Sequence, residues 1–374
     1  MASAIPFIDL QAQRKRLGEP LNRAIMAAVE GGQWVMGPQV AELEGKLATF
    51  AGVKHCIACA NGTDALVLVL RAWNVGPRDA VFVPAFTFAA TAEAVALAGA
   101  VPVFVDVLTD TYNMCPASLE AAVAMVRREG KLVPRVVMPV DLFGQPADYR
   151  ALAPIAQREN LRMLCDTAQA FGGSLDGRRT GAIGDAATTS FFPAKPLGCY
   201  GDGGAVFTDD GDLAALLRSL RVHGEGSHRY ENVRIGLNSR LDTIQAAVLL
   251  EKLTIFEDEI EARERIARRY NEGLGQSNLI RTPHVIDGAR STWAQYTIQV
   301  PDRDKVQERL RAEGVPTAIY YPIPLTAQIG YRSYPSAATP VCETICKSVI
   351  SLPMHPYLDE TVQDKIVDMV RRAL

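Results

Sequence analysis

A chain of 374 residues with 48% apolar content has enough material for a large buried core, and a length that usually divides into two domains. Its 39 basic and 42 acidic residues leave a formal net charge of -3, which excludes a broad electrostatic attraction to nucleic acid or to an anionic membrane. The opening MASAIPFIDLQAQRKRL carries no apolar h-region and is not read as a signal peptide, and the most apolar long stretch, 89–107, is broken by Glu93, Pro102 and Asp106, so no membrane span is expected.

In chain order, Asn61-Gly62-Thr63-Asp64 interrupts an apolar run and opens a helix. Val81–Pro84 reads as a strand, 89–98 as a helix and 103–106 as a strand. The segment 132–140 is a strand, 149–159 a helix, and 161–165 a strand that ends at Asp166. This alternation predicts β-α-β units and a mostly parallel sheet, in which ligands bind at the carboxyl ends of the strands. Asp166, Asp106 and the stretch 84–87 all fall at such ends.

From Leu241 the pattern changes. Leu249, Leu253, Phe256 and Ile260 recur at spacings of three and four, which predicts one long amphipathic helix over 241–274. Beyond it, 293–300 reads as a strand, 304–313 as a helix and 317–321 as another strand. The expected division is a large domain over 1–249 and a smaller α/β domain over 250–374. The seven cysteines are scattered and odd in number, as for reduced thiols in a cytoplasm. Cys56–Cys59 and Cys342–Cys346 read as structural pairs, and no metal site is expected.

Three places carry candidate chemistry. Lys195 lies in SFFPAKPLGCYGDGG, confined by Pro193 and Pro196. It is either an exposed loop lysine or an inward-aimed amine of the Schiff-base kind, whose pKa desolvation lowers. Asp166, in DTAQAFG, is either the cap of a following helix or a fixed anion for a protonated pyridine nitrogen, with Gln169 near the same place. The start of the helix at 61–64 is either a simple cap or an anion site made of N–H groups and the Thr63 hydroxyl.

Taken together, FIDLQAQ, GPQVAELE, CANGTDAL, VPAFTFAATAEAV, DTAQAFG, SFFPAKPLGCYGDGGAVFT, NSRLDTIQAA, YYPIPL and SLPMHPYL resemble the DegT/StrS-type sugar-nucleotide aminotransferases, almost from end to end. The resemblance implies a pyridoxal phosphate enzyme of transferase fold type I: a large domain with a mostly parallel sheet flanked by helices, plus a smaller C-terminal α/β domain. It implies that Lys195 binds the cofactor aldehyde and Asp166 contacts the pyridinium nitrogen. It puts Gln169 over the ring hydroxyl, Gly62, Thr63 and Ser190 at the phosphate, and Phe88 against the ring. Asn238 is implied to reach the phosphate from the neighbouring subunit of a homodimer.

Within that family the fuller resemblance is to enzymes that aminate a 3-oxo sugar, those acting on UDP-2-acetamido-2-deoxy-3-oxo-glucuronate in surface-polysaccharide synthesis in particular, with L-glutamate as donor and 2-oxoglutarate as product. Arg240 is then the candidate for the sugar carboxylate. Tyr320, beside Tyr321, stands where the near relatives carry a histidine, and a phenol supplies no imidazolium to a sugar. The alternatives are a transaminase for a dTDP-linked 3-oxo-6-deoxyhexose, a dehydratase of the same family, which would not keep the lysine, and a ligand sensor without catalysis.

Overall fold

The structure is a computed structural model that describes residues 5–228 and 230–374. The first half runs α1 (Leu10–Glu30), α2 (Pro38–Ala51), β1 (His55–Cys59), α3 (Gly62–Ala72), β2 (Asp79–Pro84), α4 (Ala90–Leu97), β3 (Val101–Val105), α5 (Pro116–Glu129) and β4 (Val133–Val137). Next come α6 (Tyr149–Arg158), β5 (Arg162–Asp166), β6 (Ser174–Leu175), β7 (Arg178–Arg179), β8 (Ala186–Ser190), β9 (Gly204–Thr208) and α7 (Gly211–Leu220). The last third holds α8 (Thr243–Leu253), α9 (Phe256–Leu274), β10 (Ala289–Arg290), β11 (Tyr296–Gln299), α10 (Arg303–Ala312), α11 (Pro340–Ser348), β12 (Val349–Leu352) and α12 (Glu360–Ala373).

The main sheet has seven strands in the order β1-β9-β8-β5-β4-β2-β3. The pairs β2–β3, β2–β4, β4–β5 and β5–β8 are parallel, and β9 runs antiparallel to both of its neighbours. Its strands are apolar on both sides because helices cover both faces. The period of two sorts them cleanly. Cys56, Ala58, Phe82, Val103 and Val105 enter a core shared with α2, α5, α6 and α8. Ile57, Cys59, Val81, Val83 and Phe104 enter a second core shared with α3, α4, α7 and α11. A third core joins α9, α10 and α12 to the antiparallel pair β11–β12. Among the described residues no helix is long and apolar enough to cross a membrane.

Three local expectations are corrected. The helix expected over 241–274 is two helices, α8 and α9, because Ile255 at φ -112°, ψ 1° leaves the helical region. The Thr254 hydroxyl there donates to the Glu251 carbonyl at 2.6 Å. Glu257, Asp258 and Glu259 then begin α9 with the acidic first turn that favours a helix start. The apolar spacing runs through the break because both helices bury a face. The strand expected over 317–321 is a single bridge, Ala318 with Ser351, since Pro316 and Pro322 cut the ladder short on either side. Strands β4 and β11 are shorter than expected, and beyond β4 the chain keeps only the bridge Val140–Asp166.

Candidate active site

A cavity of about 500 Å³ opens at the carboxyl ends of the parallel strands. It collects Gly62 and Thr63 from the start of α3, Phe88 from the turn before α4, and Asp166 and Gln169 from the end of β5. Ser190 at the end of β8, Lys195 in the loop that follows, and Tyr320 and Tyr321 complete the expected set on its wall. Nine of the eleven candidate residues thus meet in one place, although they span most of the chain.

Asp166 is 7% exposed and is held by short contacts. Its Oδ1 accepts the Ala168 N–H at 3.1 Å, and its Oδ2 accepts the Thr91 hydroxyl at 3.2 Å. Thr91 in turn lies 3.2 Å from the Thr87 hydroxyl. Burial raises the Asp166 pKa, and the Ala168 N–H, the positive charge of Lys195 and the Thr91 hydroxyl all pull the other way. No helix begins at Thr167, so the cap reading fails: the chain turns after β5, one carboxylate oxygen holds that turn, and Asp166 lines the cavity.

Lys195 shows the opposite shift. Burial lowers its pKa and the nearby Asp166 charge partly restores it. The loop that carries it is tightly folded. The Lys195 N–H donates to the Phe192 carbonyl at 2.8 Å and the Cys199 N–H to the Phe191 carbonyl at 2.7 Å. At Gly198 an added Cβ would fall 2.5 Å from the Pro193 carbonyl oxygen, so the closing limb admits only glycine without a shift of backbone. An amine on such a loop is half-buried and aimed, not a free surface lysine.

At α3 the Asn61 side chain accepts the Asp64 N–H at 2.8 Å, which fixes the first turn. Among the described residues the N–H groups of Gly62 and Thr63 have no partner, and they lie at the positive end of the helix dipole beside the cavity. Ser190 sits so close that a Cβ on Gly62 would come 2.7 Å from the Ser190 Cβ. Two N–H groups and a hydroxyl therefore converge where a phosphate is expected.

Phe88 is 57% exposed, with its ring centroid 6.3 Å from that of Tyr321. Gln169 is buried: its Oε1 accepts the Phe143 N–H at 2.6 Å and its Nε2 donates to the Tyr321 hydroxyl at 3.3 Å. Burial pushes the Tyr321 phenol up, so it stays protonated and able to donate. Tyr320 is half-buried against Phe7 and Tyr321.

Asn238 and Arg240 are not on this wall within the chain. Asn238 is exposed and its Oδ1 accepts the Arg240 Nε at 2.9 Å, while Arg240 borders a separate cleft with Arg234 and Ile235. Asp106, picked out by its strand end, is structural instead. Its carboxylate accepts the N–H groups of Val341 and Cys342 at 3.0 and 2.8 Å and so caps α11. All seven cysteines are free thiols.

Sequence reasoning missed Thr91, Thr188 and Gln295. Thr91 left a faint signal, lying one turn past Thr87 in a helix beside the strand end. Thr188 and Gln295 left none, since only the sheet order places β8 next to β5 and only the tertiary fold brings Gln295, just before β11, to the same cavity. The Oγ1 of Thr188 and Oε1 of Gln295 are buried without a partner among the described residues, and both residues line the cavity. Such groups fit a polar ligand. A carboxylate for a ring nitrogen, an amine for an aldehyde, a helix start for a phosphate and an exposed aromatic face together fit pyridoxal phosphate.

The comparisons with known proteins agree with that fit. Residues 15–371 match the model of the DegT/DnrJ/EryC1/StrS aminotransferase family. A UDP-2-acetamido-2-deoxy-3-oxo-D-glucuronate aminotransferase of Pseudomonas aeruginosa is 48% identical over 97% of this chain and 98% of its own. A UDP-N-acetyl-3-dehydro-alpha-D-glucosamine 3-aminotransferase of Acidithiobacillus ferrooxidans is 41% identical over all of this chain and 98% of its own. The crystal structure of a DegT DnrJ EryC1 StrS aminotransferase from Brucella abortus superposes with a TM-score of 0.97 at 55% identity, covering 98% of this chain and 99% of that one. The chain belongs to the DegT/DnrJ/EryC1/StrS family: it is an aminotransferase that uses pyridoxal phosphate, with the expected type I fold.

Proposed function

We propose that the chain moves the amino group of L-glutamate to the 3-oxo group of a nucleotide-linked sugar, UDP-2-acetamido-2-deoxy-3-oxo-D-glucuronate, in the making of a surface polysaccharide. The reading rests on one observation above all, the meeting of Lys195, Asp166 and the start of α3 in a single cavity. The choice of sugar leans on the relative from Pseudomonas aeruginosa and on Arg240, a guanidinium suited to a carboxylate. In this reading residues 1–249 bind the cofactor, 250–374 form the smaller domain, and the protein works as a homodimer in the cytoplasm.

When bound, the cofactor supplies an aldehyde that captures amino groups and a ring that accepts negative charge. The protein does the rest. The Asp166 carboxylate would face the ring nitrogen and favour its protonated form. Gly62, Thr63 and Ser190 would hold the phosphate and Phe88 would lie against the ring. The lowered pKa of Lys195 gives it a larger neutral fraction near pH 7, and its Nζ takes a proton from one carbon and returns it to another. Tyr320 and Tyr321 donate hydroxyls to the sugar. Asn238 and Arg240 act from the second subunit, on the phosphate and on the sugar carboxylate.

Incubating the enzyme with glutamate and a panel of 3-oxo sugar nucleotides tests this. The reading expects 2-oxoglutarate to form fastest with the UDP-linked glucuronate. Equal or faster turnover of a dTDP-linked 6-deoxyhexose would overturn the substrate assignment.

A further inference from the structure

Lys252 is 1% exposed in α8, a depth at which a charged side chain persists only if it is paired. Its Nζ donates to the Gly198 carbonyl at 2.6 Å and lies 4.5 Å from the centroid of the Tyr200 ring. Burial lowers its pKa to about 8, with the Glu259 charge acting against that. An apolar residue would fill this place at less cost, so the ammonium is kept for what it holds.

What it holds is the return limb of the loop that presents Lys195. Gly198 and Tyr200 are fastened from the same side, since the Tyr200 N–H donates to Gln245 Oε1 at 2.8 Å and Gln245 Nε2 returns to the Tyr200 carbonyl at 3.3 Å. Gln245 and Lys252, seven residues apart, share one face of α8. At Gly198 the limb runs so close to the Phe192 and Pro193 carbonyls that no side chain fits there. Lys252 does not line the cavity. It touches the reaction only through this loop.

We propose that Lys252 is a positioning residue, which fixes Lys195 by gripping the Gly198 carbonyl from behind the cavity wall. The inference rests on Lys195 being the reactive amine. A displacement of about 1 Å at a reacting group costs up to about 10²-fold in rate.

The test compares Lys252→Met, Lys252→Arg and Lys195→Ala with the wild type, each as holoenzyme. Lys252→Met is expected to lose about 10- to 100-fold in kcat with KM for both substrates within about twofold. Its cofactor absorbance is expected to titrate at a displaced pH, and Lys252→Arg to recover most of kcat. In the cofactor-free chain, amide exchange in a peptide spanning 191–200 is expected to quicken while the rest stays as in wild type. Wild-type kcat and titration in Lys252→Met, beside an inactive Lys195→Ala, would overturn this inference alone. So would a loss of kcat that merely follows the loss of folded protein. Full turnover in Lys195→Ala would overturn the assignment of the amine, and this inference with it. Should Lys252→Met not fold, Lys252→Gln, too short to reach Gly198, is read by the same outcomes.

Discussion

The wall of the cavity and the segment 222–240 are built on opposite terms. The wall is made of strand ends, a helix start and rigid loops, and its carboxylate is held by partners within the chain, Thr91 and Ala168. In its described residues the segment is a looped excursion in which Ile235 is 86% exposed and Asn238 meets only Arg240 through its side chain among the described hydrogen bonds. Residues of the first kind are placed by the fold of one chain. In the proposed homodimer, residues of the second kind would serve the site of a second copy.

The largest effect separating the two regions is expected at Lys195. Lys195→Ala should lower kcat by about 10³-fold or more, and retained turnover would break the distinction at once. Asp166→Asn should follow at about 10²-fold, with a weaker absorbance of the protonated cofactor, because the amide cannot stabilise a ring cation. Gly62→Val puts carbon on Ser190 and is expected to weaken cofactor binding at least about tenfold in an equilibrium titration. Arg240→Ala should raise KM for the sugar about tenfold with kcat nearly kept. Mixed with Lys195→Ala it should regain wild-type-like sites, up to about a quarter of the total, since one subunit then supplies both good halves. No regain on mixing would place Arg240 in its own chain's site.

A smaller effect lies beneath the wall. His355 is buried, and burial together with the positive charge of Arg263 lowers its pKa to about 4 from 6.5. Between those two values the unfolded chain binds a proton that the folded one refuses. Stability is therefore complete above pH 6.5 and falls toward pH 4, by about 3 kcal/mol from this group. Denaturant melts at pH 7 and pH 4.5 check it, and His355→Gln should flatten the difference.

This contrast also sorts what the sequence allowed one to read. Strand ends, glycine-bearing turns and the prolines around Lys195 act over a few residues, so the parallel sheet, Asp166, the start of α3 and the rigid lysine loop were legible. Ser190, Phe88 and Asn238 came only with the family resemblance. Thr188 depends on which strands are neighbours and Gln295 on how the chain before β11 packs over the cavity, neither of which local pattern encodes. The break at Thr254–Ile255 escaped because apolar spacing reports a buried face and not the continuity of a helix. Asp106 misled for a related reason: its strand end is real, but α11 arrives from far along the chain to take its carboxylate.

The central claim is that the Lys195 amine is the group that joins the cofactor. Borohydride reduction of the pyridoxal phosphate-loaded protein, followed by peptide mapping, tests it most directly. The account predicts one adduct of the reduced cofactor on the peptide that contains Lys195, lost when glutamate is added before reduction. An adduct on any other lysine, Lys252 included, or one that glutamate does not remove, would contradict it.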